Sequence, residues 1–217
     1  SGLYMTIKMI PSLEAIENFR VPLTRGEKEC LVHLEVYLKE HHPDRDFEIY
    51  TQPNLFFSKP DIIVLEPNRS VWIIEVKDYH FEAYDISFKD GKDYWKVKGR
   101  ANANIPSPFN ILKEYKFNLM HYANSGLSEA AAADQKKKFN RIVKSAVYFT
   151  NFNEDQLSEF DAHTNGYHQF RYSTLLLPSD FKGRSDKLDI LFEETKHKDY
   201  QLSENDTADL RLSLIHI

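Results

Sequence analysis

Asp61, Glu75 and Lys77 are the residues whose types and spacing best suit chemistry. They punctuate an otherwise apolar stretch, PDIIVLEPNRSVWIIEVKD, from Pro60 to Asp78. The runs Ile62-Ile63-Val64-Leu65 and Val71-Trp72-Ile73-Ile74 flank the polar segment Glu66-Pro67-Asn68-Arg69-Ser70, which is a hairpin signal. A hairpin centred on Asn68 sets Leu65 opposite Val71, Ile63 opposite Ile73 and Asp61 opposite Glu75. Directly opposed residues in an antiparallel pair have Cβ atoms about 5 Å apart. Two carboxylates that close repel unless a cation lies between them or one holds a proton. Hard divalent ions such as Mg²⁺ take oxygen ligands and keep several waters, so one or two carboxylates suffice. Side chains alternate with period two, so Glu75 and Lys77 share a strand face. That places an ammonium to meet an anionic substrate or help generate a nucleophilic hydroxide. Asp, then Glu-x-Lys ending the neighbouring strand, is a constellation for metal-assisted phosphodiester hydrolysis.

Other elements must hold this hairpin. Thr24 reads as a helix N-cap with Glu27 three residues on, a capping-box pattern, and the helix continues through Glu40. Leu31, Leu34 and Leu38 form its apolar face, and Glu27, four residues before Leu31, shares that stripe. Spacing alone leaves Glu27 either a cap or a third acid for the site; Glu29 projects elsewhere. His33 falls near the outer face, and His41-His42 read as solvated at the helix end. Residues 47–51, FEIYT, alternate as a strand. Two short strands, about 81–88 and 94–98, are divided by the turn Lys89-Asp90-Gly91-Lys92. Lys92, Lys96, Lys98 and Arg100 are interleaved there with Tyr94 and Trp95. Cations among aromatics suit backbone contact and base stacking; an ordinary solvated hairpin fits the same pattern. Pro106-Ser107-Pro108 starts a helix over 109–122 that carries Lys116, read as a phosphate contact or a solvated lysine. Ala130 to Ala133, followed by Lys136-Lys137-Lys138, favours a helix with its cations at the C-terminal end. Residues 143–150 read as a buried strand, 153–160 as a short helix and 170–176 as a strand, followed by helical stretches near 186–192 and 206–214.

The chain has 217 residues, 41% hydrophobic and 28% charged, as expected of a soluble globular protein. No apolar run approaches the ~20 residues of a membrane span. The single cysteine, Cys30, excludes an internal disulfide framework and a Cys-rich zinc site. With no secretory signal legible, a reducing cytoplasm is the simplest compartment. The net charge of −5 argues against a generic nucleic-acid coating protein, but not against a nuclease with local basic patches. The expected division is an N-terminal arm over 1–21, a nuclease-like domain over 22–178 and an extension over 179–217. The apolar finish Leu214-Ile215-His216-Ile217 suggests a module of a longer protein.

Pro60-Asp61 with Glu75-Val76-Lys77 resembles the motif of the PD-(D/E)xK nuclease superfamily. With Arg25-Gly26-Glu27 leading a helix, and Pro108, Tyr115 and Lys116 on a later one, the chain is similar to the nuclease-related domain (NERD) family over roughly Pro22 to Thr150. The resemblance implies an α/β fold with a restriction-endonuclease-like core, a mixed central sheet flanked by helices. It implies a Mg²⁺- or Mn²⁺-dependent deoxyribonuclease, with RNA not excluded as substrate. Asp61, Glu75 and the Val76 carbonyl would bind metal, Glu27 would complete or orient that shell, and Lys77 would position the attacking water. It also implies a fused or associated helicase; cutting both strands together would need a homodimer. One departure stands out: Ile111 occupies the position where the family usually carries glutamine, and Asn110 is the nearest polar substitute. This departure and the acidic charge support an alternative, a catalytically inactive module that binds nucleic acid or docks a partner.

Overall fold

The computed structural model describes residues 7–12, 15, 22–90, 92–101, 103–122, 136–164, 173–183 and 185–215. Among the described residues, nine strands form two sheets. The larger contains β1 (Ile7–Ile10), β2 (Phe47–Thr51), β3 (Ile62–Glu66), β4 (Ser70–Lys77), β8 (Val143–Phe149) and β9 (Thr174–Leu176), in the order β1-β2-β3-β4-β8-β9. β3 pairs antiparallel with β2 on one side and β4 on the other, whereas β1 on β2, β8 on β4 and β9 on β8 are parallel. The smaller sheet is antiparallel: β5 (Tyr84–Lys89), β6 (Lys92–Val97) and β7 (Asn104–Ile105).

Six α-helices lie among the described residues: α1 (Arg25–His41), α2 (Pro108–Tyr122), α3 (Lys136–Ile142), α4 (Glu154–Thr164), α5 (Asp186–Leu191) and α6 (Glu204–Ile215). β2, β3 and nearly all of β4 are buried along their length, because the sheet is covered on both faces. This is why the hairpin reads as almost continuous apolar sequence. Strand parity sorts its side chains. Ile63, Leu65, Val71 and Ile73 pack in one core with Leu112 and Leu119 of α2. Ile62, Val64, Trp72 and Ile74 pack in the other with Leu31 and Leu34 of α1.

The pairing of β3 with β4 is Leu65 opposite Val71 and Ile63 opposite Ile73, the register expected from symmetry about Asn68. Asn68 has φ 62°, a left-handed conformation that asparagine tolerates. Thr24 caps α1, its hydroxyl accepting from the Glu27 N–H at 3.1 Å. Gly26 lies where a Cβ would overlap the Asp78 carboxylate and come within 2.5 Å of the Thr150 methyl. That close approach docks the start of α1 against the ends of β4 and β8.

Several expectations change. Within residues 1–21, open between a strand and an ordered arm, Ile7–Ile10 form β1, an edge strand parallel to β2. The excursion gains a third strand, β7, and β5 starts at Tyr84 after a 3₁₀ turn over Phe81–Ala83. The described residues beyond 178 pack into the same two cores: Leu188, Leu191 and Phe192 join the α1 side, and Leu210 and Leu214 the α2 side. His42 is half-buried rather than solvated, and His33 stacks on Phe181 with ring centroids 5.1 Å apart. The alanine run at 130–133 and residues 170–172 lie outside the described residues. No helix among the described residues is long and apolar enough to cross a membrane.

Candidate active site

The site grows from the end of the β3–β4 pair. Asp61 directly precedes β3, and its carbonyl accepts from the Gln52 N–H at 2.8 Å, continuing the ladder from β2. Two backbone-to-carboxylate bonds lock it to β4. The Asp61 N–H donates to Glu75 Oε1 at 3.1 Å, and the Val76 N–H donates to Asp61 Oδ2 at 2.8 Å. The opposition of Asp61 and Glu75 is thus written into the main chain as well as the strand register. Lys77, on the same face as Glu75, brings Nζ to 3.5 Å from Glu75 Oε2 and lies 5.7 Å from the centre of the Tyr79 ring.

Burial sets the electrostatics. Glu75 is 3% exposed. Desolvation, reinforced by the Asp61 charge, pushes its carboxyl from an ordinary 4.5 up to about 8. Asp61 is raised by burial too, against the opposing pull of the Val76 N–H and the Lys77 charge. Burial works against the Lys77 ammonium, but Glu75, Tyr79 and Asp61 together outweigh it and raise its pKa. Both shifts favour the protonated form, so in the metal-free chain the pair holds a proton more tightly than free carboxyls do, as expected of close carboxyls without a cation between them.

Glu27 reaches the neighbourhood from α1. Burial raises its pKa, followed by the Asp61 charge. Its Oε2 accepts from Gln52 Nε2 at 3.2 Å. Among the described residues, no three His, Cys, Asp or Glu side chains are grouped to hold a metal ion. The donor set that does converge is Asp61 with Glu75. Two hard oxygen donors, destabilised as anions by burial and by one another, fit a dication that keeps most of its waters. Gln52 was not anticipated as a partner for Glu27. Its only sequence signal is its place after the strand, ahead of Pro53.

Tyr115 of α2 donates from its hydroxyl to the Lys59 carbonyl at 3.2 Å. Burial raises its pKa, followed by the charges of Glu75 and Asp61, which puts this ring beside the acids. Ile111, one turn earlier, is half-buried and brings no polar group to the helix at that position. Asp78 points away to the start of α1, its Oδ1 accepting from the Thr150 hydroxyl at 2.6 Å.

The basic residues divide. Lys92, Lys96, Lys98 and Arg100 are exposed, with Tyr94 exposed between the first two. Trp95 faces inward, donating to Asp93 Oδ2 at 2.7 Å, and the Ser107 hydroxyl meets the same carboxylate. Lys116 does not fit the solvated reading. It is 9% exposed, in the inward stripe between Leu112 and Leu119, and burial lowers its pKa to about 8.

A mixed sheet with an aspartate and a Glu-x-Lys side by side at its end, covered by helices on both faces, defines a nuclease-like α/β core. The chain belongs to the nuclease-related domain family, whose model matches residues 23–150, more than half of its length. No curated protein and no solved structure matches the chain.

Proposed function

We propose that the chain hydrolyses phosphodiester bonds in DNA with Mg²⁺ or Mn²⁺ held by Asp61, Glu75 and the Val76 carbonyl. The supporting observation is the pair of buried, opposed carboxylates with the Lys77 ammonium 3.5 Å from one of them. When bound, the ion supplies Lewis acidity and lowers the pKa of a coordinated water. The chain's own residues do the rest. The Val76 N–H fixes the Asp61 carboxylate, so its free oxygen is aimed without rotamer searching. Lys77 stabilises the negative charge that grows on the phosphate, in a site where low solvent exposure strengthens the interaction. Glu27, steadied by Gln52, adds negative charge beside Asp61. Lys92, Lys96, Lys98 and Arg100 grip the phosphate backbone from the smaller sheet.

The test is cleavage of labelled DNA with Mg²⁺, Mn²⁺ or chelator. Asp61→Ala and Lys77→Ala should each lose roughly 10²–10³-fold in rate, the scale of removing one electrostatic stabiliser. Unchanged turnover in either variant removes that residue from the chemistry. A second reading, binding without turnover, is favoured by the lack of a three-acid group among the described residues and by Ile111. It predicts metal-independent DNA binding that depends on Lys96, Lys98 and Arg100, and abolition of binding by chelation would exclude it.

A further inference from the structure

The loop before Asp61 is built against its own conformational preferences. Leu55 and Ser58 pair backbone to backbone, N–H to carbonyl in both directions, at 2.8 and 3.0 Å. The two residues closing this tight turn are Phe56 and Phe57, with φ 43° and 71°. Positive φ at both central positions is the type I′ pattern, which selects Asn-Gly and similar pairs. Two phenylalanines are poor occupants, since bulky side chains rarely enter the left-handed region. Such an outlier persists only where surrounding contacts over-determine it.

Those contacts are present. Leu55 is fully buried, and Pro53, Ser58 and Pro60 are buried too. The Phe56 N–H donates to the Ser213 hydroxyl of α6 at 3.2 Å. The Asn118 amide of α2 meets the Ser58 hydroxyl, and the Tyr115 hydroxyl meets the Lys59 carbonyl. Between residues 51 and 60 only Phe57 and Lys59 are exposed, Phe57 to 85%. Phe117, next to Asn118, exposes a second ring to 55% on the helix that clamps this loop. Asp61 is four residues beyond Phe57, at most about 14 Å of extended chain. An exposed ring two residues before an exposed lysine, in the segment that leads into Asp61, is the arrangement that binds unpaired nucleic acid: stacking for the base, charge for its phosphate. A paired base buries its faces in the duplex stack and offers the ring nothing.

We infer that Phe57 is a stacking platform for an unpaired base next to the scissile phosphate, so the preferred substrate is single-stranded or locally unpaired nucleic acid. This rests on the phosphodiesterase reading for the choice of ligand, but its test does not need turnover. Binding of a single-stranded oligonucleotide carrying 2-aminopurine, and of its duplex, is measured by fluorescence on the full Asp61→Asn chain. Adding Phe57→Ala should weaken single-strand binding roughly 5- to 150-fold and remove the 2-aminopurine quenching, with duplex binding unchanged. Phe57→Trp should restore both signals. Single-strand binding as tight with Phe57→Ala as without it overturns the platform, as does an equal loss for both DNA forms. Self-association of the chain that Phe57→Ala abolishes, with DNA binding intact, overturns it in favour of a protein contact. Hydrolysis is assayed separately on the chain with Asp61 intact. No cleavage, with Phe57-dependent quenching preserved, overturns the nuclease reading alone.

Discussion

Replacing Glu75 with glutamine should stabilise the metal-free chain, and the gain should grow with pH. The carboxyl is 3% exposed and its pKa is raised from 4.5 to about 8. A raised acid binds its proton more tightly folded than unfolded, so its stabilising contribution is complete below about 4.5 and is lost as pH climbs through about 8. At about 1.36 kcal/mol per pKa unit, the displacement is worth roughly 5 kcal/mol as a ceiling, because Glu75 titrates jointly with Asp61. Glutamine keeps the shape and the acceptor for the Asp61 N–H, but has no proton to lose. Urea denaturation between pH 5 and 8.5, with a chelator present, should show wild-type stability falling across the window. The Glu75→Gln curve should be flatter, so that the variant is the more stable at the alkaline end. Mg²⁺ should narrow the difference by stabilising the ionised wild-type pair. A constant offset between the two proteins at every pH would refute the claim that Glu75 is a buried, strained acid.

Lys116→Met should gain up to roughly 3 kcal/mol below pH 8, since burial depresses the lysine from 10.5 to about 8. Wild-type stability should rise between those two values, so denaturation at pH 7 and 10 should show the advantage shrinking. Gly26→Ala should cost about 1–3 kcal/mol through overpacking against Asp78 and Thr150, read as a lower denaturation midpoint. Arg45→Met should cost about 3–5 kcal/mol, because it strands Glu66, which accepts from Nε at 2.8 Å and from Nη2 at 2.9 Å in a buried pair. Arg45→Met with Glu66→Leu should recover part of that loss, as a double-mutant cycle would show.

The heart of the site was legible in the amino-acid sequence because it depends on short-range rules. Strand alternation and a turn symmetric about Asn68 place Asp61 opposite Glu75 and Lys77 on the Glu75 face, and the structure keeps that register. The Thr24 cap and the inward stripe that carries Glu27 follow from helical spacing in the same way. Other features depend on residues remote in sequence. Glu27 shares an inward face with Leu31, but only the fold turns its carboxylate toward Gln52. Lys116 also lies on an inward stripe, yet its charge argued for solvent until α2 was packed on β4 and β8. The last helices read as an extension because the surface they cover comes from strands far earlier in the chain.

Sequence alone therefore determined which groups oppose one another across the hairpin and on which face the ammonium stands, since backbone periodicity dictates both. Tertiary structure decided how strongly those groups are charged, which acid is held by an amide and which aromatic is driven outward. Desolvation and loop clamping are sums over neighbours that only folding assembles.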